Sequence, residues 1–350
     1  MPLNVLKLSD LTEKTLSGKT VIVRVNLDVP VENGQVVDDF RLQGVAETVK
    51  FLTERNSKVI LIGHVGRPAG KVVEELRLSS VTQRLAEILG CEIKKSDEVL
   101  GLNTQRLVNE LKAGEILMLE NIRFDPREEE NDADFARKLA ELGDIYVNEC
   151  FGSSHRRHVS LVGIPQHLPS YAGLGFTKEI DTLTKIRENP RRPLVFIVGG
   201  SKKDKVKFVK KISSLADKIL LGGKLMFAEE LEGTPKVQFP IDAVHIDDIG
   251  PQSVTLFCKS IKIAKTVVWV GPLGRFEEDK YSEGTKQVAR CVIEGGAFSV
   301  AGGGDTLAAL QKAGYRNQFN FCSTGGGALL DFLADGTLPG IEALQSTDEM

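Results

Sequence analysis

Short apolar runs alternate with helix-forming segments along this chain, and that alternation most constrains its fold. The runs are rich in β-branched residues and stop at glycine or a polar turn, which is typical of strands buried on both faces of a parallel sheet. We predict such strands at 21–25, 58–62, 116–119, 145–147, 194–198, 218–221, 266–270 and 297–301. Segments with helical periodicity lie between them, at 45–55, 80–89, 133–142, 206–215 and 285–293.

Strands that alternate with helices imply right-handed crossovers and an open, doubly wound sheet. Because the pattern runs twice, we predict an α/β protein of two Rossmann-like doubly wound parallel-sheet domains. A helical segment at 177–187 leads into the prolines of 189–193, which end the helix before a new strand. This helix is expected to join the two domains as a hinge.

Length and charge support two domains and exclude a general affinity for polyanions. The chain has 350 residues, and about 150 residues per domain is usual. Its 45 basic and 48 acidic residues give a net charge of −3, so no overall field favours nucleic acid or anionic lipid. No apolar run approaches the ~20 residues of a membrane span, and the first residues lack a signal-peptide pattern. We therefore expect a cytoplasmic protein.

The five cysteines are odd in number, scattered, and form no CxxC pair. This pattern argues against a disulfide framework and against a structural zinc site. We expect Cys91, Cys150, Cys258, Cys291 and Cys322 to be small buried apolar residues.

Glycine clusters follow the strands of the second half. They stand at 199–200, 222–223, 271–274, 302–304 and 325–327. Glycine lets backbone N–H groups approach a ligand closely, and a helix that begins there favours an anion such as phosphate. A P-loop and a GxGxxG fingerprint are both absent, so a Rossmann dehydrogenase is the weaker alternative. Asp305 offers a carboxylate for Mg²⁺ and Thr306 a hydroxyl, although both residues would also suit a simple helix cap.

Arginines and histidines lie within or after the strands of the first half. They are Arg24, Arg41, His64, Arg67, Arg123, His155, Arg156, Arg157 and His158. Guanidinium groups suit bidentate recognition of phosphate or carboxylate, so the set predicts a small-anion site. Taken singly, each arginine would also suit a solvated ion pair and each histidine simple packing. Asn26 and Asp28 share one face of the strand end and would orient a hydroxylated substrate, or Asp28 would build a turn.

These motifs resemble those of the phosphoglycerate kinase family over essentially the whole chain. Residues 23–30 resemble RVDxNVP, 63–68 resemble SHLGRP, 119–124 resemble LENxRF, and 146–158 resemble YVNDAFGTAHRAH. In the second half, 199–202 resemble GGAK and 269–277 resemble WNGPMGVFE, while GGGDT and STGGGA match as they stand.

The resemblance implies reversible phosphoryl transfer from 1,3-bisphosphoglycerate to MgADP, which gives 3-phosphoglycerate and MgATP. It implies a phosphoglycerate-binding domain at 1–172, with a tail from about 337 to 350 packed back on it. An interdomain helix at 173–188 and a nucleotide-binding domain at 189–336 would complete the chain. We expect a monomer that binds these small molecules and neither nucleic acid nor membrane.

The resemblance also implies residue roles. The substrate would be held by Arg24, Asn26, Asp28, Arg41, His64, Arg67, Arg123 and Arg156. The nucleotide would be held by Gly199, Gly200, Lys202, Lys205, Gly222, Gly223, Glu277, Gly302, Gly303, Gly304, Asp305 and Thr306, with Mg²⁺ at Asp305. Arg41, Lys205, Gly325 and Gly326 would stabilise the transferring phosphoryl group.

Four departures from the family pattern leave an alternative open. The acid and amide of RVDxNVP are exchanged as Asn26 and Asp28, and Lys202 and Lys205 stand three residues apart rather than four. Val270 and Glu149 replace an asparagine and an aspartate, and the segment 227–249 is short. A degenerate paralog that binds these ligands without turnover is the alternative function.

Overall fold

The computed structural model describes residues 4–200 and 205–345. The described chain divides into two compact units. Unit 1 comprises Met1–Ile180 and Thr337–Met350, and unit 2 comprises Asp181–Gly336. The chain therefore leaves unit 1 once and returns to it near its end.

Unit 1 is built on a six-stranded sheet with all its strands parallel. In chain order its strands are β1 (Thr20–Val25), β4 (Lys58–Ile62), β5 (Ile93–Lys95), β6 (Ile116–Met118), β7 (Ile145–Glu149) and β8 (Ser170–Ala172), and a small hairpin is formed by β2 (Val31–Glu32) and β3 (Gln35–Val36). The spatial order is β5-β6-β4-β1-β7-β8. β1 lies at the centre, and its six residues are buried except for Thr20 at the edge.

Helices cover this sheet, and several of them form the crossover connections between its parallel strands. They are α1 (Glu13–Leu16), α2 (Phe40–Thr53), α3 (Ser79–Leu89), α4 (Leu102–Glu110), α5 (Arg127–Glu130), α6 (Ala133–Ala140) and, near the chain end, α13 (Pro339–Glu342). Local sequence sets their ends. Asp132 caps α6 by accepting a hydrogen bond from Phe135 N at 2.7 Å, and α3 ends at Gly90, whose φ of 71° favours glycine.

Unit 2 repeats the architecture with a second parallel six-stranded sheet. Its strands are β9 (Leu194–Val198), β10 (Lys218–Leu221), β11 (Val237–Gln238), β14 (Thr266–Val270), β15 (Phe298–Gly302) and β16 (Phe321–Ser323), with a hairpin of β12 (Ala243–Val244) and β13 (Asp248–Ile249). The order is β11-β10-β9-β14-β15-β16. Its helices are α8 (Lys205–Ile212), α9 (Pro251–Ile263), α10 (Glu283–Gly295), α11 (Gly304–Lys312) and α12 (Gly327–Asp335).

A 15-residue helix, α7 (Leu174–Glu188), contains the boundary between the units at residues 180 and 181. The predicted fold class is confirmed, since each half forms one doubly wound parallel sheet. The eight strands predicted from apolar runs are all present. None of the described helices is both long and apolar enough to cross a membrane.

The prediction that all five cysteines are small buried apolar residues is wrong. Cys258 on α9 and Cys291 on α10 form a disulfide, because the two helices pack side by side although 33 residues separate the cysteines in sequence. Cys91 is exposed and Cys322 is half-buried, so Cys150 alone behaves as a free, fully buried thiol.

We predict that reduction of this disulfide destabilises unit 2. A cross-link that closes a loop of 33 residues restricts the unfolded chain, which is worth roughly 4 kcal/mol. Urea unfolding with and without reductant, followed in the native protein and in Cys258→Ser, should give a lower midpoint when the bond is absent. Cys91→Ser, at an exposed free thiol, is the control and should leave the midpoint unchanged. Equal midpoints for oxidised and reduced native protein would contradict the prediction.

Candidate active site

A cluster of basic side chains occupies the carboxyl end of the unit 1 sheet. Arg24 lies at its base on β1 with no solvent exposure. Its Nε donates to Ser160 Oγ at 2.8 Å, its Nη1 donates to the Val25 carbonyl, and its Nη2 lies 2.7 Å from His64 Nδ1. Arg24 thus donates to protein groups at all three of its nitrogens, and its contact with His64 supports that residue of the cluster.

His64 follows β4 and is 2% exposed. Burial, together with the charges of Arg24, Arg123 and Arg156, holds the pKa of His64 well below its usual value, so the ring is neutral. A guanidinium can only donate, so Nδ1 must accept the hydrogen bond from Arg24. The single ring proton therefore sits on Nε2, which makes this nitrogen a donor.

Arg123 is the second buried cation of the cluster. It is 3% exposed, and its Nη1 donates to the Gly66 carbonyl at 2.9 Å. Burial, followed by repulsion from Arg156 and Arg24, lowers the pKa of Arg123 to about 10. Its Nη2 is buried and has no hydrogen-bond partner among the described residues. A buried guanidinium nitrogen without an acceptor is costly, and an anion would satisfy it.

Further residues of the predicted set join this cluster through a shared turn. Asp28 Oδ1 accepts from Gly66 N at 2.9 Å, and Asp28 Oδ2 lies 3.6 Å from Arg41 Nη1. The same Arg41 nitrogen donates to the Asp28 carbonyl. Arg67 follows Gly66 and is exposed, while Asn26 is nearly buried at the end of β1.

The arginine–histidine segment after β7 completes the basic cluster. Arg156 is half-buried, and its charge acts on both His64 and Arg123. Burial, followed by the charges of Arg123 and Arg156, lowers the pKa of His158 to about 3. His158 is therefore neutral at ordinary pH, and the positive charge of the cluster comes from its arginines.

Two supporting residues, Glu128 and Asn121, were not predicted from the sequence. Glu128 is fully buried and accepts from Ser160 N at 2.9 Å and from Ser160 Oγ at 2.6 Å. Burial raises the pKa of Glu128 against the attraction of Arg24. Since Ser160 Oγ also accepts from Arg24, this serine links the buried carboxyl to the buried guanidinium. Glu128 stands in the run REEE, which has the composition of a solvated helix end.

Asn121 holds the turn that carries His64 and Arg67. Its Nδ2 donates to the carbonyls of Val65 and Leu76, each at 2.9 Å, and its Oδ1 accepts from Arg123 N at 3.2 Å. The asparagine of the LENxRF-like segment therefore fixes two elements of the basic cluster at once.

In unit 2 the carboxyl ends of the strands carry glycine turns in place of a cluster of basic side chains. Gly200 N donates to the Pro272 carbonyl at 2.8 Å and Gly223 N to the Leu273 carbonyl at 2.7 Å, so three turns pack directly on one another. Gly271 has a φ of 97°, and a Cβ there would overlap the Gly199 carbonyl. Only glycine permits this approach. The three turns leave a surface lined by peptide groups, which we call the glycine surface.

Lys205 begins α8 and lies over this surface. Its Nζ donates to the Gly199 carbonyl at 2.6 Å and is 3.4 Å from the Val270 carbonyl. Lys202 lies outside the described residues. Val270 presents its carbonyl to Lys205 and also accepts from Gly199 N at 3.0 Å.

The GGGDT segment spans the end of β15 and the start of α11. Gly302 and Gly303 precede the helix, and Gly304 and Asp305 form its first turn, where the Asp305 side chain is exposed. Thr306 is buried; its hydroxyl donates to the Gly302 carbonyl and accepts from Gly271 N, both at 2.7 Å. Thr306 therefore joins two glycine turns rather than facing solvent.

The remaining predicted residues also lie at this edge of unit 2. Gly326 precedes α12 and packs on Gly303 so closely that a Cβ at Gly326 would lie 3.0 Å from the Gly303 Cα. Gly325 N donates to Ser323 Oγ, and Gly222 directly follows β10. Glu277 is exposed on the loop after β14, and its carbonyl accepts from Lys312 Nζ at 3.0 Å.

The family model for phosphoglycerate kinase matches residues 10–231 and 226–336. The chain belongs to the phosphoglycerate kinase family. It is 38% identical to the phosphoglycerate kinase of Dictyoglomus turgidum, over 96% of this chain and 98% of that one. It is 37% identical to that of Pelotomaculum thermopropionicum, over 94% and 97%.

Solved phosphoglycerate kinases share the fold. The enzyme of Pyrococcus horikoshii superposes with a TM-score of 0.87 at 28% identity, and that of Coxiella burnetii with 0.80 at 29%. Each comparison covers 97% of this chain and 98% of the other. The activity is that of a phosphoglycerate kinase, a phosphotransferase, and no finding favours the non-catalytic alternative.

Glu149, which replaces the aspartate of the family motif, is buried at the end of β7. Its Oε2 accepts from Thr48 Oγ1 at 2.6 Å and its Oε1 from Phe176 N at 2.9 Å. Thr48 Oγ1 also accepts from Leu174 N at 2.9 Å. Together these groups cap the first turn of α7, the helix that leads out of unit 1.

We predict that Glu149 makes unit 1 less stable as pH rises. Burial raises the pKa of Glu149 to about 8 from an ordinary value of 4.5. Between these values the folded protein keeps a proton that the unfolded chain releases, so the free energy of unfolding falls by roughly 4 kcal/mol. Glu149→Gln cannot ionise and should flatten this decline. Urea unfolding of unit 1 at pH 5, 6.5 and 8 measures the slope.

The control for this prediction is Glu130→Gln, at an exposed carboxylate of the same unit. It should retain the pH slope of the native protein. An unchanged slope in Glu149→Gln would show that this carboxyl is ionised in the folded state and that the predicted shift is wrong.

Proposed function

We propose that unit 1 binds 3-phosphoglycerate or 1,3-bisphosphoglycerate and that unit 2 binds the magnesium nucleotide. The observation that supports the first assignment is the buried guanidinium of Arg123, whose Nη2 lacks a partner among the described groups. Arg24 and Arg156 repel it, and both nearby histidines are neutral. Glu129 pairs with the Arg123 Nε at 3.2 Å, and a phosphate or carboxylate would supply the missing acceptor for Nη2.

On the substrate side, each residue has a role that matches its contacts. Arg67, Arg123 and Arg156 would bind the phosphate and carboxylate oxygens, and His64 Nε2 would donate to one of them. Asn26 and Asp28 would orient the glycerate hydroxyl. Arg24 would position the other residues of the cluster, since its own nitrogens already contact protein groups.

On the nucleotide side, backbone peptide groups would make most of the ligand contacts, whereas in unit 1 charged side chains would make them. The turns at Gly199–Gly200, Gly222–Gly223 and Gly302–Gly304 would face the phosphates and the base, and Glu277 would bind the ribose. Lys202 and Lys205 would bind phosphoryl oxygens, for which Lys205 exchanges its carbonyl partners. Thr306 would hold two of the turns in place.

Asp305 suits a magnesium ion that is shared with the nucleotide. Its carboxylate is exposed in the first turn of α11, and oxygen is the ligand that Mg²⁺ prefers. Across the described residues, no group of three or more histidine, cysteine or acidic side chains forms a metal site. Such an ion would therefore rely on phosphate and water for most of its ligands, and when bound it would neutralise phosphate charge.

The protein's part in phosphoryl transfer is positioning and charge stabilisation. The transferring group spreads negative charge over three oxygens, and little covalent chemistry is asked of the enzyme. Arg41 from unit 1 would face this group together with Lys205 and the amides of Gly325 and Gly326 from unit 2. Because these groups belong to separate units, we propose that the units close during each turnover and exclude water. We further expect a cytoplasmic monomer.

A coupled assay tests whether the protein turns over these two ligands. Purified protein with MgATP and 3-phosphoglycerate should form 1,3-bisphosphoglycerate, whose reductive dephosphorylation consumes NADH. A parallel reaction with MgGTP measures the preference for adenine over guanine. This preference shows whether the short 227–249 segment affects selection of the base. Binding of either ligand without NADH loss would restore the non-catalytic alternative.

We predict that Arg41→Ala lowers kcat by more than ~10²-fold, because it removes a cation from the transferring oxygens. The same assay at saturating substrates measures the change, and circular dichroism checks the fold. Lys50→Ala removes an exposed cation from the same helix and should leave kcat within twofold. Equal rates for the two variants would remove Arg41 from the transfer step.

A further inference from the structure

Asp248 is a buried carboxylate that the proposed ligand contacts do not use. It lies on β13, the strand that ends the short 227–249 segment, and is 1% exposed. Among the described residues it has no cationic partner. Its oxygens accept from backbone instead: Oδ1 from Ile249 N at 2.9 Å and Oδ2 from Gly284 N at 2.8 Å, in the first turn of α10.

Two glycines make room for this carboxylate. A Cβ at Gly274 would overlap Asp248 Oδ1 and the Tyr281 carbonyl, and a Cβ at Gly284 would overlap Asp248 Oδ1. The carboxylate therefore lies directly against the backbone of the loop after β14 and against the start of α10. No side chain separates them.

The neighbouring residues of the loop are tied to the same two elements. Arg275 N donates to the Asp247 carbonyl at 2.8 Å, and its Nη2 lies 3.3 Å from Asp247 Oδ2. Leu273 N donates to Thr285 Oγ1 of α10 at 3.0 Å. Three successive residues of the loop are thus fixed between the hairpin and α10, with Gly274 and the Asp248 carboxylate at the centre.

The opposite side of this loop forms part of the glycine surface. The carbonyls of Pro272 and Leu273 accept from Gly200 N and Gly223 N. Glu277, the proposed ribose contact, follows Arg275 by two residues. A shift of the loop at Gly274 would therefore move the glycine turns and Glu277 together.

We propose that Asp248 is a positioning residue for nucleotide binding, whose buried carboxylate holds the loop from Gly271 to Glu277 against α10. This inference rests on the proposed nucleotide site. It also gives the short segment a role, since the hairpin at its end keeps the loop in place.

The chemistry of the site explains a carboxylate rather than an amide here. Burial raises the pKa of Asp248 to about 6, with the hydrogen bonds from Gly284 and Ile249 opposing it and the charge of Glu283 adding to it. The ionised group accepts from both N–H donors, whereas an asparagine would turn an NH₂ group toward one of them. Loss of the hydrogen bond from Gly284 N should loosen the hairpin from α10, and with it the loop that packs on the carboxylate at Gly274.

The test compares Asp248→Asn with a matched control. Asp242 precedes the same hairpin and likewise accepts from the first turn of a helix, from Gln252 N at 3.0 Å and Ser253 N at 2.7 Å of α9. Asp242→Asn should therefore lose a similar cap without freeing the loop. For Asp248→Asn we expect KM for MgATP to rise about tenfold, with KM for 3-phosphoglycerate within twofold of the native value. Asp242→Asn should leave both KM values within twofold.

The outcomes separate this inference from the nucleotide site on which it rests. Glu277→Gln, assayed in parallel, should raise KM for MgATP. If it does and Asp248→Asn does not, the positioning role is wrong while the site stands. If Glu277→Gln has no effect, the ribose assignment fails. An equal rise of both KM values in Asp248→Asn would show a merely structural role and overturn the proposal.

A second variant reaches the same contact from the loop. Gly274→Ala places a methyl group against the Asp248 carboxylate, and the backbone at 274 does not have the positive φ that would itself exclude alanine. Should Asp248→Asn fail to fold, Gly274→Ala must show the selective rise in KM for MgATP. Native KM values in that variant would count against the proposal.

Discussion

Every strand within each six-stranded sheet runs in the same direction, and the active-site chemistry depends on that constraint. Parallel strands bring all their carboxyl ends to one edge, so residues far apart in sequence meet there. In unit 1 the segments after β1, β4, β6 and β7 supply the basic cluster. In unit 2 the turns after β9, β10, β14 and β15 supply the glycine surface. Neither set is contiguous in the chain.

The two units present opposite kinds of groups at the carboxyl ends of their strands. Unit 1 uses buried cations, and it keeps them in place with polar groups beneath them: Ser160 joins Arg24 to Glu128, and Asn121 fixes the turn next to Arg123. Unit 2 relies mainly on peptide groups, which need close backbone packing instead of counter-charges. The buried carboxylate of Asp248 serves that packing, since its partners are N–H groups of the backbone.

Sequence reasoning predicted the strands that are buried on both faces, because an apolar run of four or five residues is a strong local signal. It missed β5, β8, β11 and β16, which are two or three residues long and owe their pairing to the neighbouring strand. The disulfide was missed for a similar reason, since only the packing of α9 on α10 brings Cys258 to Cys291.

The site divides in the same way between what the sequence shows and what it hides. Residues at strand ends, such as His64 and Arg123, were identified because their position predicts where they meet. Glu128 and Asp248 were not, because an acidic residue near other acidic residues is typical of a solvated surface. Their burial depends on contacts with Ser160 and with Gly274, which lie 32 and 26 residues away.

Unit 2 is inserted within unit 1, because residues 337–345 complete the first unit. Gly340 of α13 packs on Ser154, its N donating to the Ser154 carbonyl at 2.9 Å, and Gln345 pairs with Val5. During synthesis the ribosome therefore delivers all of unit 2 before the last segment of unit 1 emerges. Unit 2 can finish folding first, while unit 1, although begun earlier, must wait for its final residues.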